Sequence, residues 1–420
     1  MTQTTANIVE ENDIKIGKDM SNGKRILAFI SIATIYFFYC YNFSLGTFVK
    51  PTMLNEFGFT LQQTEEIFAI MSFGTIPGTF LFGWISTKIG KKNTLMIVAL
   101  LIAGSTFLPM LSPTNITLWM VSRFASGFVL GAVFGAAMPL VADMYPTKYR
   151  GKLAAILTAL FSLSMIFSGQ IYAIFGDANW KILMYTAIIP PIIGAILTFI
   201  FVPSDYEYTK ELAKKSAESG EKLSYFSMYK GKYLWIGIGV ILLSGVNFTA
   251  YSAFNNNATT YLGIIGVSSA VAGSIYSVQG FGQLIGYIFW GAIADKFGRK
   301  VPMIGMFLAG VFVFVYTTLS PDSVMMFYVV SFAIGVMVGF SGAWGAYYTE
   351  LFPSKYSTIS AGISFNGGRI ISTFAIPAIA GLAGGATTAS AMMPIFYVSI
   401  AVFVAGTIVW FMLPETLNKK

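Results

Sequence analysis

The sequence contains no histidine and a single cysteine, Cys40, in 420 residues. That inventory excludes disulfides, Cys/His metal centres and imidazole acid–base chemistry, and leaves Cys40 as a core thiol. Charge is scarce as well: Asp, Glu, Lys and Arg make up 10% of the residues against 55% hydrophobic types, with a mean hydropathy of +0.70. A soluble domain of this composition would expose very large apolar patches, so the chain belongs in lipid. Period-2 alternation is missing, which excludes a β-barrel. A phosphate-binding loop is missing too. Gly17 to Lys24 spaces its glycines one residue too widely, and Arg25 stands where Ser or Thr is required, so ATP is not a direct partner.

What is abundant is apolar sequence in runs of roughly 20 residues, the length a helix needs to cross about 30 Å of hydrocarbon. Twelve such runs are predicted, at 26–48, 64–87, 93–111, 117–143, 152–175, 181–202, 233–256, 268–291, 301–319, 323–349, 358–383 and 392–413. The predicted fold class is an all-α polytopic membrane protein. Residues 1–25 form a polar segment with no apolar core ahead of a cleavage site, so the first run is a retained helix.

The basic residues give the orientation. Of 26 Lys and Arg residues, 22 fall on one side: in the N-terminal segment, around Lys88 to Lys92, at Lys148 to Lys152, in 203–232, at Lys296 to Lys300, at Lys355 and in the tail 414–420. Cytoplasmic loops retain positive charge, so both termini are expected in the cytoplasm, in a multi-pass protein of the cytoplasmic membrane. Lys50 and Lys181 fall on the other side, and Arg123 and Arg369 inside predicted helices. The net charge of +8 is thereby a topological signal with a bilayer as neighbour, and nucleic acid is excluded as a partner.

The second half of the chain repeats the first. Gly83-Trp-Ile-Ser-Thr-Lys88-Ile-Gly90-Lys91-Lys92 returns 208 residues later as Gly291-Ala-Ile-Ala-Asp295-Lys296-Phe-Gly298-Arg299-Lys300. Phe124-Ala125-x-Gly127 with Gly131 returns as Phe332-Ala333-x-Gly335 with Gly339, Asp143-x-x-Pro146 as Glu350-x-x-Pro353, and Asn42-Phe43 as Asn247-Phe248. Residues 26–202 and 233–413 are the predicted repeated halves, joined by a charged, partly helical linker at 203–232 with Glu211/Lys215 and Glu218/Lys222 one turn apart.

These residues resemble the major facilitator superfamily, whose hallmark is a G-x-x-x-D-[RK]-x-G-[RK]-[RK] loop. The second copy fits throughout, and the first has Thr87 in place of the acid. The resemblance implies two six-helix bundles around a central cavity, a transporter working by alternating access, no enzymatic activity and no cofactor. It also implies a gate at the loops, with Gly83, Lys88, Gly90, Asp143, Arg150, Gly291, Asp295, Gly298, Arg299 and Glu350 as its residues. The loop glycines are expected to let helices approach, and the charges to pair across the two bundles.

A centrally placed arginine costs roughly 2.5–3.5 kcal/mol even on a lenient insertion scale. Arg369, about halfway along the eleventh predicted span with Asn366 one turn before it, is therefore the leading residue for binding an anionic group, for which its guanidinium fork is suited. The alternative is a structural arginine capping carbonyls of a helix broken at Gly367 and Gly368. Arg123 opens an R-x-x-x-G motif similar to one of the family's, and in proton-coupled relatives that arginine is thought to neighbour an aspartate in the first helix. Here the matching position is Asn42, an amide that carries no proton, so uniport or anion exchange is expected ahead of proton symport. Tyr39, Asn247, Tyr251, Gln279, Gln283, Trp344 and Tyr348 complete the set of substrate residues.

The expected cargo is a small organic anion, a monocarboxylate or sugar acid. A neutral sugar or polyol is the alternative. Drug efflux ranks below both, because Ser162 to Ile171 lacks the antiporter motif and Pro414-Glu415-Thr416 resembles the ending of sugar and organic-acid porters. The expected assembly is a monomer.

Overall fold

The computed structural model describes residues 14–218, 229–353, 357–383 and 387–417. Residues 1–13 of the N-terminal segment, 219–228 of the linker, Lys355, and Lys419 and Lys420 of the tail lie outside the described residues. No strand occurs among those described.

The first half runs through α1 (Asn22–Asn55), α2 (Leu61–Ile89), α3 (Lys91–Phe107), α4 (Ile116–Met144), α5 (Thr147–Phe175) and α6 (Trp180–Phe201). A short linker helix, α7 (Tyr206–Glu218), follows. The second half comprises α8 (Lys232–Asn255), α9 (Ala258–Ile264), α10 (Ser269–Phe297), α11 (Met303–Thr318), α12 (Val324–Val338), α13 (Trp344–Glu350), α14 (Ser357–Gly381) and α15 (Ala389–Met412). The predicted spans lie on these helices, but several helices extend well past them. The 34 residues of α1 amount to about 51 Å of helix, longer than the hydrocarbon core.

Nine segments among the described residues are long and apolar enough to cross a bilayer. The predicted spans at 268–291, 301–319 and 358–383 are occupied by α10, α11 and α14. The 16 residues of α11 are few for a crossing, while α10 and α14 are long but carry Gln279, Gln283 and Asp295, and Asn366 and Arg369. Their weak apolar signal comes from the side chains singled out above for chemistry. The predicted span at 323–349 is interrupted, since α12 and α13 are separated by a 3₁₀ turn at Gly339–Ala343.

Contacts divide the chain into two compact units. One contains Met1–Phe43, Phe73–Ser164 and Met184–Lys222, and the other Ser44–Ser72, Met165–Leu183 and Leu223–Lys420. The second unit thus combines the whole of the second half with the distal ends of α1 and α5 and the start of α2. Glycine allows part of this packing. Gly169 of α5 and Gly273 of α10 face one another so closely that a Cβ on either would strike the other's backbone carbonyl. Ser277 on α10 donates to the Ile166 carbonyl at 2.9 Å in the same contact.

The hallmark loops are built alike within each unit. In the first, the Asp205 carboxylate accepts hydrogen bonds from the backbone N–H groups of Lys91 at 2.6 Å and Lys92 at 3.1 Å, capping α3. In the second, Glu415 accepts from Arg299 N–H at 2.9 Å and Lys300 N–H at 3.0 Å. A carboxylate at a helix start satisfies orphan donors and complements the helix dipole. Gly90 and Gly298 take positive φ, 86° and 131°, and a Cβ there would press on Asp205 and Glu415 respectively. The other two loop glycines depart from expectation: a Cβ at Gly83 or Gly291 would meet nothing, so neither brings helices together.

Candidate substrate and gating sites

In the second unit, Arg369 stands twelve residues from either end of α14. The helix is continuous there, so Gly367 and Gly368 do not mark a break; Gly368 lies against the Gly245 backbone of α8 and Gly367 against Ile241. This approach places the part-buried guanidinium 4.7 Å from the Phe248 ring centroid and 5.9 Å from that of Phe365. The two rings meet edge to face at 5.0 Å. Aromatic faces attract a cation, so the two rings hold the guanidinium in place. The Asn366 amide turns back to its own helix and donates to the Gly362 carbonyl at 3.0 Å, away from the role expected of it beside Arg369.

The other predicted substrate residues of this unit fall into separate groups. Gln279 donates to Asn255 at 3.0 Å, and Asn255 donates to the Tyr276 hydroxyl at 2.8 Å, forming a buried chain between α8 and α10. Gln283 donates to the Tyr287 hydroxyl at 2.8 Å. Tyr251 donates to the Met165 sulfur at 3.3 Å. Trp344 and Tyr348 are buried, stacked on each other at 5.3 Å, and Tyr348 shares a hydrogen bond with Ser244. Phe340 and Trp410 close around Trp344, so these two rings form part of an aromatic core. Asn247 Oδ1 and Gln283 Oε1 are buried acceptors without a hydrogen-bond partner among the described residues.

In the first unit, Asn42 and Arg123 are both fully buried, and the guanidinium donates to Asn42 Oδ1 at 3.3 Å. Thr106 donates to the same oxygen at 3.5 Å. The juxtaposition expected from the two motifs is therefore present, with an amide in place of a carboxylate. Tyr39 packs between Tyr36 at 5.2 Å and Phe43 at 5.4 Å.

Among the described residues, ion pairs at the two hallmark loops join residues within one half. Lys91 bonds Asp143 at 2.7 Å. Arg299 reaches Glu350 through Nε at 3.0 Å and Nη2 at 2.8 Å, and also bonds Asp295. Thr416 donates to Glu350 at 2.7 Å. With Thr87 in place of Asp295, the first copy loses one acid, and the Thr87 hydroxyl donates to the Trp84 carbonyl instead. Arg150 donates to the Tyr145 carbonyl at 3.0 Å. Outside the membrane, burial alone would raise the Glu415 carboxyl, but the N–H groups of Leu417, Lys300, Thr416 and Arg299 hold it below its ordinary value.

Sequence reasoning missed one constellation entirely. Lys50, expected in a loop, lies inside α1 with its side chain wholly buried, and forms an ion pair with Glu65 of α2 at 2.6 Å. Asn257, between α8 and α9, accepts from Lys50 at 3.2 Å and donates to the same Glu65 oxygen at 2.7 Å. Glu65 was within reach of the sequence, since it falls inside the predicted span at 64–87, as was the triple amide Asn255-Asn256-Asn257 at the end of another. Asp205 and Glu415 were legible as acids following Pro203 and Pro414 in corresponding places.

Comparison with known proteins agrees with this architecture. The chain is 22% identical over 338 residues to the sialic acid transporter NanX of Escherichia coli, covering 79% of this chain and 80% of the relative. It is 26% identical over 349 residues to the cis,cis-muconate transport protein of Acinetobacter baylyi, covering 79% and 81%. The crystal structure of a D-xylose-proton symporter superposes with a TM-score of 0.76 at 17% identity, covering 95% of this chain and all of that one. The sequence model of the Major Facilitator Superfamily matches residues 32–264 and again 240–420. Matched in both halves by that model and along nearly its whole length by the fold, the chain belongs to the Major Facilitator Superfamily and is a multi-pass membrane transporter.

Proposed function

We propose that the protein carries a small organic anion, a monocarboxylate or sugar acid, across the cytoplasmic membrane by alternating access, with both termini in the cytoplasm. The observation that carries this reading is Arg369, a permanently charged fork midway along a membrane helix, steadied by Phe248 and Phe365. A guanidinium pairs bidentately with a carboxylate, and the rings hold it in place. The names of two relatives, which transport sialic acid and cis,cis-muconate, support an acidic cargo, and the one-sided distribution of lysine and arginine supports the orientation. Asp143, Arg150, Asp295, Arg299 and Glu350, with Lys88 and the loop glycines, are assigned to the cytoplasmic gate.

A neutral sugar or polyol is the second reading, favoured by the buried acceptors Asn247 Oδ1 and Gln283 Oε1, which suit hydroxyl donors. Uptake of labelled organic acids and neutral sugars into proteoliposomes, for wild type and Arg369→Gln, separates the two. Acid uptake abolished in a folded Arg369→Gln protein supports the anion. Uptake of neutral solutes alone, or normal acid uptake by the variant, refutes it.

A further inference from the structure

The Lys50–Glu65–Asn257 cluster ties the two sequence halves together. Lys50 and Glu65 come from α1 and α2, and Asn257 from the break between α8 and α9. All three side chains are essentially sealed, at 0%, 1% and 0% exposure. A second bond lies beside them, from the Thr259 hydroxyl to the Thr47 carbonyl at 3.1 Å. The Ala253 carbonyl accepts from the Asn257 amide at 3.0 Å, and Ala253 belongs to a buried apolar group with Leu61, Ile379, Ala380 and Ile395.

A buried ion pair is a poor source of stability, because taking both charges out of water costs about as much as their attraction returns. Apolar residues of similar volume would hold the contact at least as firmly. What an ion pair supplies, and apolar residues do not, is a contact that one proton can cancel. Glu65 is built for that event: Oε1 takes both hydrogen bonds, while Oε2 is buried with no hydrogen-bond partner among the described residues.

We propose that Lys50, Glu65 and Asn257 form a proton-operated latch between the halves, with Glu65 as the proton-binding group. When ionised, Glu65 neutralises Lys50 and the ends stay together. A proton from the aqueous phase on that face adds to the Glu65 carboxylate, while Lys50 keeps its own proton and charge. The ammonium is then left in a dry site with only an amide oxygen to accept from it, and it is relieved by water entering as the ends separate. Loss of the proton restores the pair and closes the latch. Acid on that face therefore favours the separated state.

Among the described residues of the surrounding elements, other charged groups are engaged elsewhere: Arg369 of α14 lies against Phe248 and Phe365. On α2, Glu66 accepts instead from Gln62 at the surface at 3.0 Å. At the same end, Glu56 is exposed and Lys181 lies over the Trp180 ring, and the phenols are Tyr172 of α5 and Tyr276 of α10 against Phe48, and Tyr261 of α9 against Tyr316. The helices α14 and α15 contribute Ile379, Ala380 and Ile395.

The proposal rests on the transporter reading but not on the cargo, and its test needs no cargo. Full-length protein carrying Cys40→Ala, with spin labels at Glu56 and Ala270, both exposed near this end of the helices, is reconstituted in vesicles. Inter-label distances are then measured from about pH 8 to about pH 4, so that the series reaches the ordinary carboxylate range. Wild type is expected to shift to longer distances as the pH falls. Glu65→Gln should be long at every pH, and Lys50→Met/Glu65→Gln, with both charges gone, short at every pH. A wild type that does not shift overturns the proposal even if the variants fail to fold. So does a Glu65→Gln protein that titrates like wild type or stays short, and so does a double variant that stays long, which would place the release in lost hydrogen bonds. Absence of anion uptake would count against the cargo alone.

Discussion

Asp205 and Glu415 occupy equivalent positions in the two halves: each carboxylate caps the helix that begins at a hallmark loop, through two consecutive backbone N–H groups of basic residues. The internal repeat therefore includes a carboxylate that follows the last helix of each half. Loop, acid and the ion pair to Asp143 or Glu350 form one structural unit, made twice.

Removing the cap should destabilise the protein. Glu415→Ala is expected to cost about 1 kcal/mol, the size typical of a lost N-cap, read as a lower midpoint in thermal unfolding of the purified protein. Glu415→Gln should keep more of that stability at neutral pH. Because the Glu415 carboxyl is held below its ordinary value of 4.5, its contribution is complete above that pH and lost as the pH falls through the depressed value. The variants should thus converge with wild type in stability towards strong acid. Variants that differ from wild type equally at all pH values would show that Glu415 acts by packing alone.

Phe248→Leu should leave the fold intact while loosening Arg369. A cation–π contact of this kind is worth about 0.5–2 kcal/mol, so KM for an anionic cargo should rise several-fold with little change in maximal rate. An unchanged KM would remove the ring from the binding site.

Asn42→Asp gives the buried Arg123 guanidinium a charged acceptor at the position where Asn42 now accepts at 3.3 Å. Uptake by this variant should acquire a pH dependence that wild type lacks at that site. Matching pH profiles for the two proteins would argue that Asn42 and Arg123 are purely structural.

Gly169→Leu should prevent α5 and α10 from meeting, since even a Cβ at this position strikes the Gly273 carbonyl and the Ser277 hydroxyl. The expected result is folded protein with transport largely lost. Full transport would mean that this contact is not needed in the working cycle.

The chain itself determined its helical class, its solvent and its repeats. A bilayer imposes one length on every crossing helix, basic residues resist translocation, and the loop 83–92 returns as 291–300 because both halves solve the same folding problem. The pairing of Asn42 with Arg123 was legible for the same reason. Which face each helix turns inward was not, because a membrane helix such as α15 is apolar nearly all round and carries no stripe to mark the buried face. Only the tertiary structure therefore laid Arg369 against Phe248 and Phe365, enclosed Trp344 and Tyr348 in an aromatic core, and placed Asp205 and Glu415 over the helix starts. Lys50 is the clearest case: in sequence it is a charge at the edge of an apolar run, and only packing brings it to Glu65 and to Asn257, 207 residues away. A charge becomes costly, and so informative, when its surroundings lose water, and that depends on neighbours distant in the chain.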